Sequence, residues 1–292
     1  MARPYAPGGV SSVGFVALPS PPISLGPTRL KWHRARRTAA DVPFTASRIV
    51  EGMRAGASVE VDLRIHADRG FAVLHDDDLA RATTGTGQVG RTAAAALRSM
   101  QLRDAHGTPC GQHVLLLEDL PGLFDDEPLP PSALLQLDFK QNAASLDRRA
   151  VEAFAAAVRG IEEHLILSCG DADAVRILTE SAPGIAVGYD PCHRGAVDHV
   201  LASRDFAGFV ERACSASAHA TTIYLEIRLV LAAAGRGYDL VGAFQRRGRI
   251  VDAYTLAGAA NADTVPMVQR LLDLRVDQLT VDDAEGLVAL LR

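Results

Sequence analysis

The chain has 292 residues, 48% of them hydrophobic, and a formal net charge of -5 at pH 7. That length can bury one large core or two smaller ones, and the mild acidity offers no basic face to phosphate backbones, which argues against nucleic acid as the main partner. No apolar run approaches the ~20 residues needed to cross a bilayer, so stable membrane insertion is not expected.

Taken in order, the stretch MARPYAPGGVSSVGFVALPSPP contains one Arg, several Pro and Gly, and no sustained apolar segment. It is a poor signal peptide and reads as part of a loosely held arm over residues 1–27, ahead of a single unit over 28–292. Thr28 to Trp32 reads as a short strand delivering His33 and Arg34. Asp41-Val42-Pro43-Phe44-Thr45 has the chemistry of a helix start, with Thr45 as N-cap of an amphipathic helix from Ala46 to Gly56. The next stretch, Ser58 to Leu79, organises the rest of the chain. Val59, Val61 and Leu63 alternate there with Glu60, Asp62 and Arg64, which predicts a strand. Glu60 and Asp62 share one face roughly 7 Å apart, close enough to grip one hard cation through oxygen. A tight connection at Ala67-Asp68-Arg69-Gly70 leads to a second strand, Phe71 to Leu74, that ends abruptly in His75-Asp76. If the two strands lie side by side, His75 emerges beside that ion.

From Asp77 to Gln112 the pattern is irregular. Turn residues (Thr83-Thr84-Gly85-Thr86-Gly87) and a short Ala-rich helix, Thr92 to Ser99, suggest a small insertion after the second strand. The alternation then resumes. Strands are predicted at Leu134 to Phe139, His164 to Leu167, Ile185 to Gly188, Thr221 to Leu225, Ile250 to Tyr254 and Gln278 to Val281. The helices between them are Ser145 to Val158, Asp171 to Ser181, patterns through Ala213, Leu229 to Arg246 with a break at Gly235-Arg236-Gly237, Thr264 to Leu274 and Ala284 to Leu291. About eight βα units predict an α/β fold with a parallel sheet. A closed (β/α)8 TIM barrel fits both the count and the typical ~250-residue length. The rival, an open doubly wound sheet, lacks its usual support because no GxGxxG follows the first strand.

In a barrel, the groups that follow each strand meet at one rim. Here those groups are His33, Arg34, Glu60, Asp62, His75, Asp76, Asp138, Lys140, Ser168, Tyr254 and Asp282. Carboxylates to hold a divalent ion, cations to neutralise phosphate and two imidazoles to move protons suit hydrolysis of an anionic substrate. The cysteines, Cys110, Cys169, Cys192 and Cys214, form no CxxC and read as reduced thiols in a cytoplasmic protein, with Cys192-His193 structural. His66, His106, His113, His164, His193, His199 and His219 follow no ligand spacing. Glu118 reads more simply as an acid at a helix N-terminus, and Glu226 as a weaker candidate for the pocket wall.

The order of these motifs resembles the glycerophosphodiester phosphodiesterase family. The family's HRG, ExD, HD and ExK correspond to His33-Arg34-Ala35, Glu60-Val61-Asp62, His75-Asp76 and Asp138-Phe139-Lys140. Supporting matches are Gly56-Ala57, the stretch from Leu79 to Gly87, Ser168, Tyr254-Thr255 where the family has Trp-Thr, and Val276-Asp277 to Val281-Asp282. The resemblance covers about His33 to Asp282. It implies a PLC-like TIM barrel that cleaves a small-molecule glycerophosphodiester to sn-glycerol 3-phosphate and an alcohol. By the same resemblance Glu60, Asp62 and Asp138 would hold Mg2+ or Ca2+, and His33 and His75 would be acid and base. Arg34 and Lys140 would bind phosphoryl oxygens, with Tyr254 at the substrate. In the family a substrate hydroxyl can be the attacking group, through a cyclic phosphate. Three departures stand out: Ala35 replaces Gly, Val42-Pro43-Phe44-Thr45 replaces Pro-Glu-Asn-Thr, and Asp138 replaces Glu. They keep two alternatives open, a lysophospholipase D or sugar-phosphodiester hydrolase on the same site, and a barrel that binds phosphodiesters without turnover.

Overall fold

Eight short parallel strands carry the alternation expected from the sequence. They are β1 Thr28–Trp32, β2 Ser58–Ile65, β3 Leu134–Phe139, β4 Leu165–Ser168, β5 Ala186–Tyr189, β6 Thr222–Glu226, β7 Ile250–Leu256 and β8 Gln278–Val281. Each pairs with the next, and β8 returns to β1 in the register Gln278↔Arg29 to Val281↔Trp32. The sheet is therefore a closed (β/α)8 barrel, and the open alternative is excluded. The computed structural model describes residues 23–291. Most of the arm expected over 1–27 lies outside the described residues. Of its last part, Ser24 and Leu25 pair antiparallel with Arg29 and Thr28.

The period-2 pattern of β2 acquires a sharper meaning here. Val59, Val61 and Leu63 are buried, but so are Glu60 and Asp62, because a barrel strand faces helices on one side and the barrel interior on the other. Helix Ala46–Arg54 packs over β1 and β2. Thr45 does occupy its N-cap position, yet its side chain makes no capping bond. Asp41 does related work nearby, accepting from the N–H groups of Arg37 and Thr38 at 3.0 and 2.8 Å. The approach of this helix depends on Gly52. A Cβ there would lie 2.6 Å from Val59 Cγ2 and 3.1 Å from Trp32 Cε3. Gly52→Ala should therefore destabilise the chain by about 1–3 kcal/mol through overpacking, despite the better helix propensity of Ala. A thermal melt of the variant checks this, and a raised midpoint would contradict the close packing.

Elsewhere the helices follow the predicted pattern with shifted ends. Asp171 caps helix Ala172–Ser181, accepting from Asp173 and Ala174 N–H at 3.0 and 3.2 Å. The segment expected to be helical over 229–246 with a break at Gly235-Arg236-Gly237 is two helices, Ile227–Gly235 and Leu240–Gln245, separated there. Asp239 starts the second by accepting from Gly242 N–H at 2.8 Å. Between Val73 and Leu134 the chain leaves the barrel. The short helix is present as Ala94–Ser99. An unexpected antiparallel hairpin joins Gln101–Arg103 to Pro109–His113. The four cysteines are free thiols. Among the described residues no helix is long and apolar enough to cross a membrane.

Candidate active site

The C-terminal end of β1 runs into a single 3-10 turn, His33–Ala35, in which Arg34 and Ala35 take left-handed φ of 54° and 59°. For non-glycine residues that conformation costs roughly 1–2 kcal/mol each, so it needs external support. Arg34 N–H donates to Glu60 Oε2 at 2.7 Å, and Phe44 N–H donates to the Arg34 carbonyl at 2.9 Å. Phe44 is itself left-handed, with φ 63°. The Ala35 methyl is fully buried and does not line the cavity at the mouth. The turn fixes His33, whose Nδ1 lies 2.6 Å from Asp282 Oδ1. Burial pushes the Asp282 carboxyl up, but His33, the Gly258 N–H and Arg36 outweigh this and hold it below the usual range. An ionised carboxylate only accepts, so the His33 proton sits on Nδ1 and Nε2 is left with a lone pair. Burial also lowers the pKa of His33, against the opposing pull of Asp282.

The carboxylates come from adjacent strands in register. Asp62 pairs with Asp138 and Glu60 with Gln136 across β2 and β3. One oxygen each from Glu60, Asp62 and Asp138 lie within 4.8 Å of one another. Asp62 is wholly buried between cations. Arg34 Nε is 3.3 Å from its Oδ2 and Lys140 Nζ 2.7 Å from its Oδ1. Burial raises the carboxyl pKa of Asp62, but Lys140, Arg34 and His75 overcome it and the net shift is downward. Glu60 goes the other way: burial and then the Asp62 charge push it well up. Burial disfavours the Lys140 ammonium, but Asp138, Asp62 and Glu60 prevail and raise its pKa.

This arrangement fits a hard divalent cation. Neither oxygen of Asp62 accepts a well-directed hydrogen bond among the described residues, although both are buried. Three clustered carboxylates, one of them buried with neither oxygen hydrogen-bonded, make an oxygen donor set of the kind Mg2+ or Ca2+ takes.

His75 arrives by a different route. The short strand Phe71–Val73 pairs antiparallel with β2, placing Val73 opposite Leu63. Beyond it, His75 Nδ1 lies 2.7 Å from Asp76 Oδ1, and the His75 carbonyl accepts from Arg64 Nε. Burial opposes ionisation of Asp76, but the bond to His75 together with Arg81 lowers its pKa. His75 thus repeats the His33 arrangement, with Nδ1 held by a carboxylate and Nε2 left available.

His33, Arg34, Glu60, His75, Asp138, Lys140 and Tyr254 line one cavity of about 220 Å3, with Asp62 buried beneath it. The structure therefore brings together all eight residues singled out from the sequence. Asp138 is further held by Ser168, whose hydroxyl donates to Asp138 Oδ1 at 2.6 Å. Gln136 Nε2 donates to Ser168 Oγ at 2.7 Å, and Gln136 Oε1 accepts from the buried Lys31 ammonium. Glu118 and Glu226 lie elsewhere, paired with Arg98 at 2.9 Å and Arg228 at 3.4 Å. Asp190 and His193 are among the cavity residues that escaped the sequence reading, with Gln136, Tyr224 and Thr280. His193 follows no ligand spacing, and its one signal was position, since Asp190-Pro191-Cys192-His193 directly follows β5. A larger groove of about 530 Å3 adjoins the site between the insertion and the loop after β1, and shares Arg34 and His75 with it.

The sequence matches the glycerophosphoryl diester phosphodiesterase family over residues 45–285. The chain belongs to that family. It is accordingly a phosphoric diester hydrolase, and its family placement supports glycerophosphodiester hydrolysis. The matched region starts after His33 and Arg34, so their place at the site rests on the geometry above. Solved structures share the fold. One from Agrobacterium tumefaciens, assigned as a glycerophosphoryl diester phosphodiesterase, is 21% identical with a TM-score of 0.66, covering 90% of this chain and 96% of that one. The glycerophosphodiester phosphodiesterase of Thermotoga maritima is 20% identical with a TM-score of 0.60, covering 90% and 97%. An Oleispira antarctica phosphodiesterase, solved with the product sn-glycerol-3-phosphate, is 17% identical with a TM-score of 0.63, covering 90% and 96%. A search among curated protein sequences finds no match.

Proposed function

We propose that the chain hydrolyses a glycerophosphodiester to sn-glycerol 3-phosphate and an alcohol, with a divalent cation held by Glu60, Asp62 and Asp138. The observation that carries this reading is the set of three clustered carboxylate oxygens flanked by two cations and two carboxylate-held imidazoles. Bound Mg2+ or Ca2+ supplies positive charge at the phosphoryl oxygens. Arg34 and Lys140 bind those oxygens and offset the negative charge that builds in the transition state. His33 and His75 each present Nε2 to the cavity. One takes the proton of the attacking hydroxyl, and the other, protonated at Nε2 when substrate binds, gives that proton to the departing alcohol as its P–O bond breaks; where the attacking hydroxyl is the substrate's own, water then opens the cyclic phosphate with the two roles exchanged. Tyr254 walls the alcohol side. The substrate is a small molecule, and the four free thiols fit a reducing, cytoplasmic setting.

The groove beside the insertion favours a second reading, a lysophospholipid substrate whose acylated glycerol arm lies there while its headgroup alcohol leaves. Its walls include Pro43, Phe44 and Leu102 as well as several arginines. One experiment addresses both: sn-glycerol 3-phosphate release from a panel of glycerophosphodiesters and lysophosphatidic acid release from a lysophospholipid, each with Mg2+, Ca2+ or EDTA. Turnover should require the added ion and stop with EDTA. Full activity in EDTA would refute the cation site, and no turnover on any member would favour the binding-only alternative.

A further inference from the structure

We propose that Ser168, directed by Gln136 and Lys31 behind it, is a positioning residue that holds Asp138 to a one-oxygen metal ligand and so biases the site toward Mg2+ over Ca2+. This rests on the cation site above and adds to it the choice of ion.

The order of the hydrogen bonds is fixed by the chemistry of their members. Lys31 is wholly buried and its ammonium can only donate, so the Gln136 atom that faces it is the carbonyl oxygen, Oε1. The Gln136 amide nitrogen is thereby turned to Ser168 and donates to Oγ at 2.7 Å. With that lone pair taken, the Ser168 hydroxyl directs its one proton to Asp138 Oδ1 at 2.6 Å. A carboxylate can only accept, so the run from Lys31 through Gln136 and Ser168 to Asp138 has a single direction. Its members are held in place. Lys31 is anchored by Asp252 at 2.6 Å, Gln136 is 5% exposed and Ser168 is buried completely.

Strand register sets these contacts up. Asp62, Asp138 and Ser168 form one row across β2, β3 and β4, with Glu60 and Gln136 in the row beneath. With Oδ1 committed to Ser168, Oδ2 is the Asp138 oxygen left to a cation. It faces Asp62, because the same Lys140 ammonium meets Asp138 Oδ2 and Asp62 Oδ1. Glu60 is half committed as well, since its Oε2 accepts from Arg34 N–H. Mg2+ takes single oxygens in a tight octahedron, which two oxygens of one carboxylate fit poorly. Ca2+ takes about six to eight oxygens and accepts a carboxylate through both of its own. Two ligands limited to one oxygen each therefore suit the smaller ion.

The test titrates Mg2+ and Ca2+ separately, by calorimetry, into the full chain freed of metal with EDTA and dialysed. It uses the wild type, Ser168→Ala and Gln136→Met, with a thermal melt of each in EDTA to confirm folding. Ser168→Ala frees Oδ1 and should weaken Mg2+ binding by about 10- to 100-fold. Ca2+ should weaken by a smaller factor, because the released oxygen can join its larger shell. Gln136→Met should shift the preference in the same direction by less, since it leaves the hydroxyl present but undirected. General loosening of the barrel mouth would weaken both ions alike. Equal factors for the two ions, or an unchanged Mg2+ affinity, in either variant that folds therefore overturns the proposal. Diester cleavage by the wild type at saturating Mg2+ is measured alongside. Ion binding without cleavage overturns the hydrolase reading alone, and the shift in ion preference still decides this proposal. A wild type that binds neither ion overturns the cation site and this proposal with it.

Discussion

His33→Gln should lower kcat for diester cleavage by about 10²–10⁴-fold, the usual worth of one proton-transfer group, with KM little changed and the chain still folded. His33 is only 18% exposed and is held at Nδ1 by Asp282, so the reacting geometry depends on one nitrogen, Nε2. Gln fills similar space but neither accepts nor returns a proton at neutral pH. Asp282→Asn gives a sharper test of the same geometry. It keeps the shape but removes the charge that fixes the tautomer, so the imidazole proton is free to move to Nε2, where it blocks proton uptake. A fall comparable to that in His33→Gln is expected, because a mis-set tautomer disables an otherwise intact histidine. Initial rates of sn-glycerol 3-phosphate release measure both variants. Wild-type turnover in His33→Gln would remove His33 from the chemistry. Wild-type turnover in Asp282→Asn would show that the orienting contact is dispensable.

Where the hydrophobic pattern is regular, the fold is legible in the sequence. β1, β3 and β8 lie where the alternation puts them, because short apolar runs bounded by polar residues have few other uses in a βα series. The same regularity placed the site. Strand ends meet at one rim once the barrel closes, so His33, Glu60, Asp62, His75, Asp138 and Lys140 could be grouped without coordinates. Their partners were less visible. Asp76 and Asp282 stood at strand ends without an assigned role, since the 2.6–2.7 Å bonds that make them orienting groups depend on side-chain direction.

The misses have local causes. In the hairpin, Pro109–His113 is almost wholly exposed and Gln101–Arg103 buries one side chain, Leu102, so the strand pattern never develops. Thr45 sits at the N-cap position but makes no capping bond, while Asp41 accepts from N–H groups of the preceding loop, a difference that sequence spacing alone does not show. His193 was set aside because it follows no ligand spacing, while the neighbours that place it, Asp190 and Gly170 on another strand's loop, meet it only in space. The departures from the family motif also change weight once seen in space. Ala35 adopts the left-handed turn itself, and Asp138 reaches the other two carboxylates despite being shorter by a methylene.

The largest stability effect is expected beneath the site. Lys31 and Asp252 are both 0% exposed, with Nζ 2.6 Å from Oδ2. Asp252 also accepts from Thr280 at 2.7 Å and from Gln278, while the ammonium reaches Gln136 and lies 4.3 Å from the centre of the Tyr224 ring. Asp252→Leu leaves a desolvated ammonium and two donors without their acceptor, so a loss of about 3–5 kcal/mol is expected. Burial already lowers the Lys31 pKa, so the variant can shed part of that cost by releasing the proton, which places the effect nearer the lower end. Adding Lys31→Met to Asp252→Leu removes both charges together and should recover part of the loss. The remainder belongs to Gln136, Gln278 and Thr280, whose bonds to the pair are gone. Urea unfolding of the singles and the double closes the cycle. If the double is as unstable as the two singles summed, the two groups are uncoupled, and the pair is not what holds the barrel interior closed under Asp138.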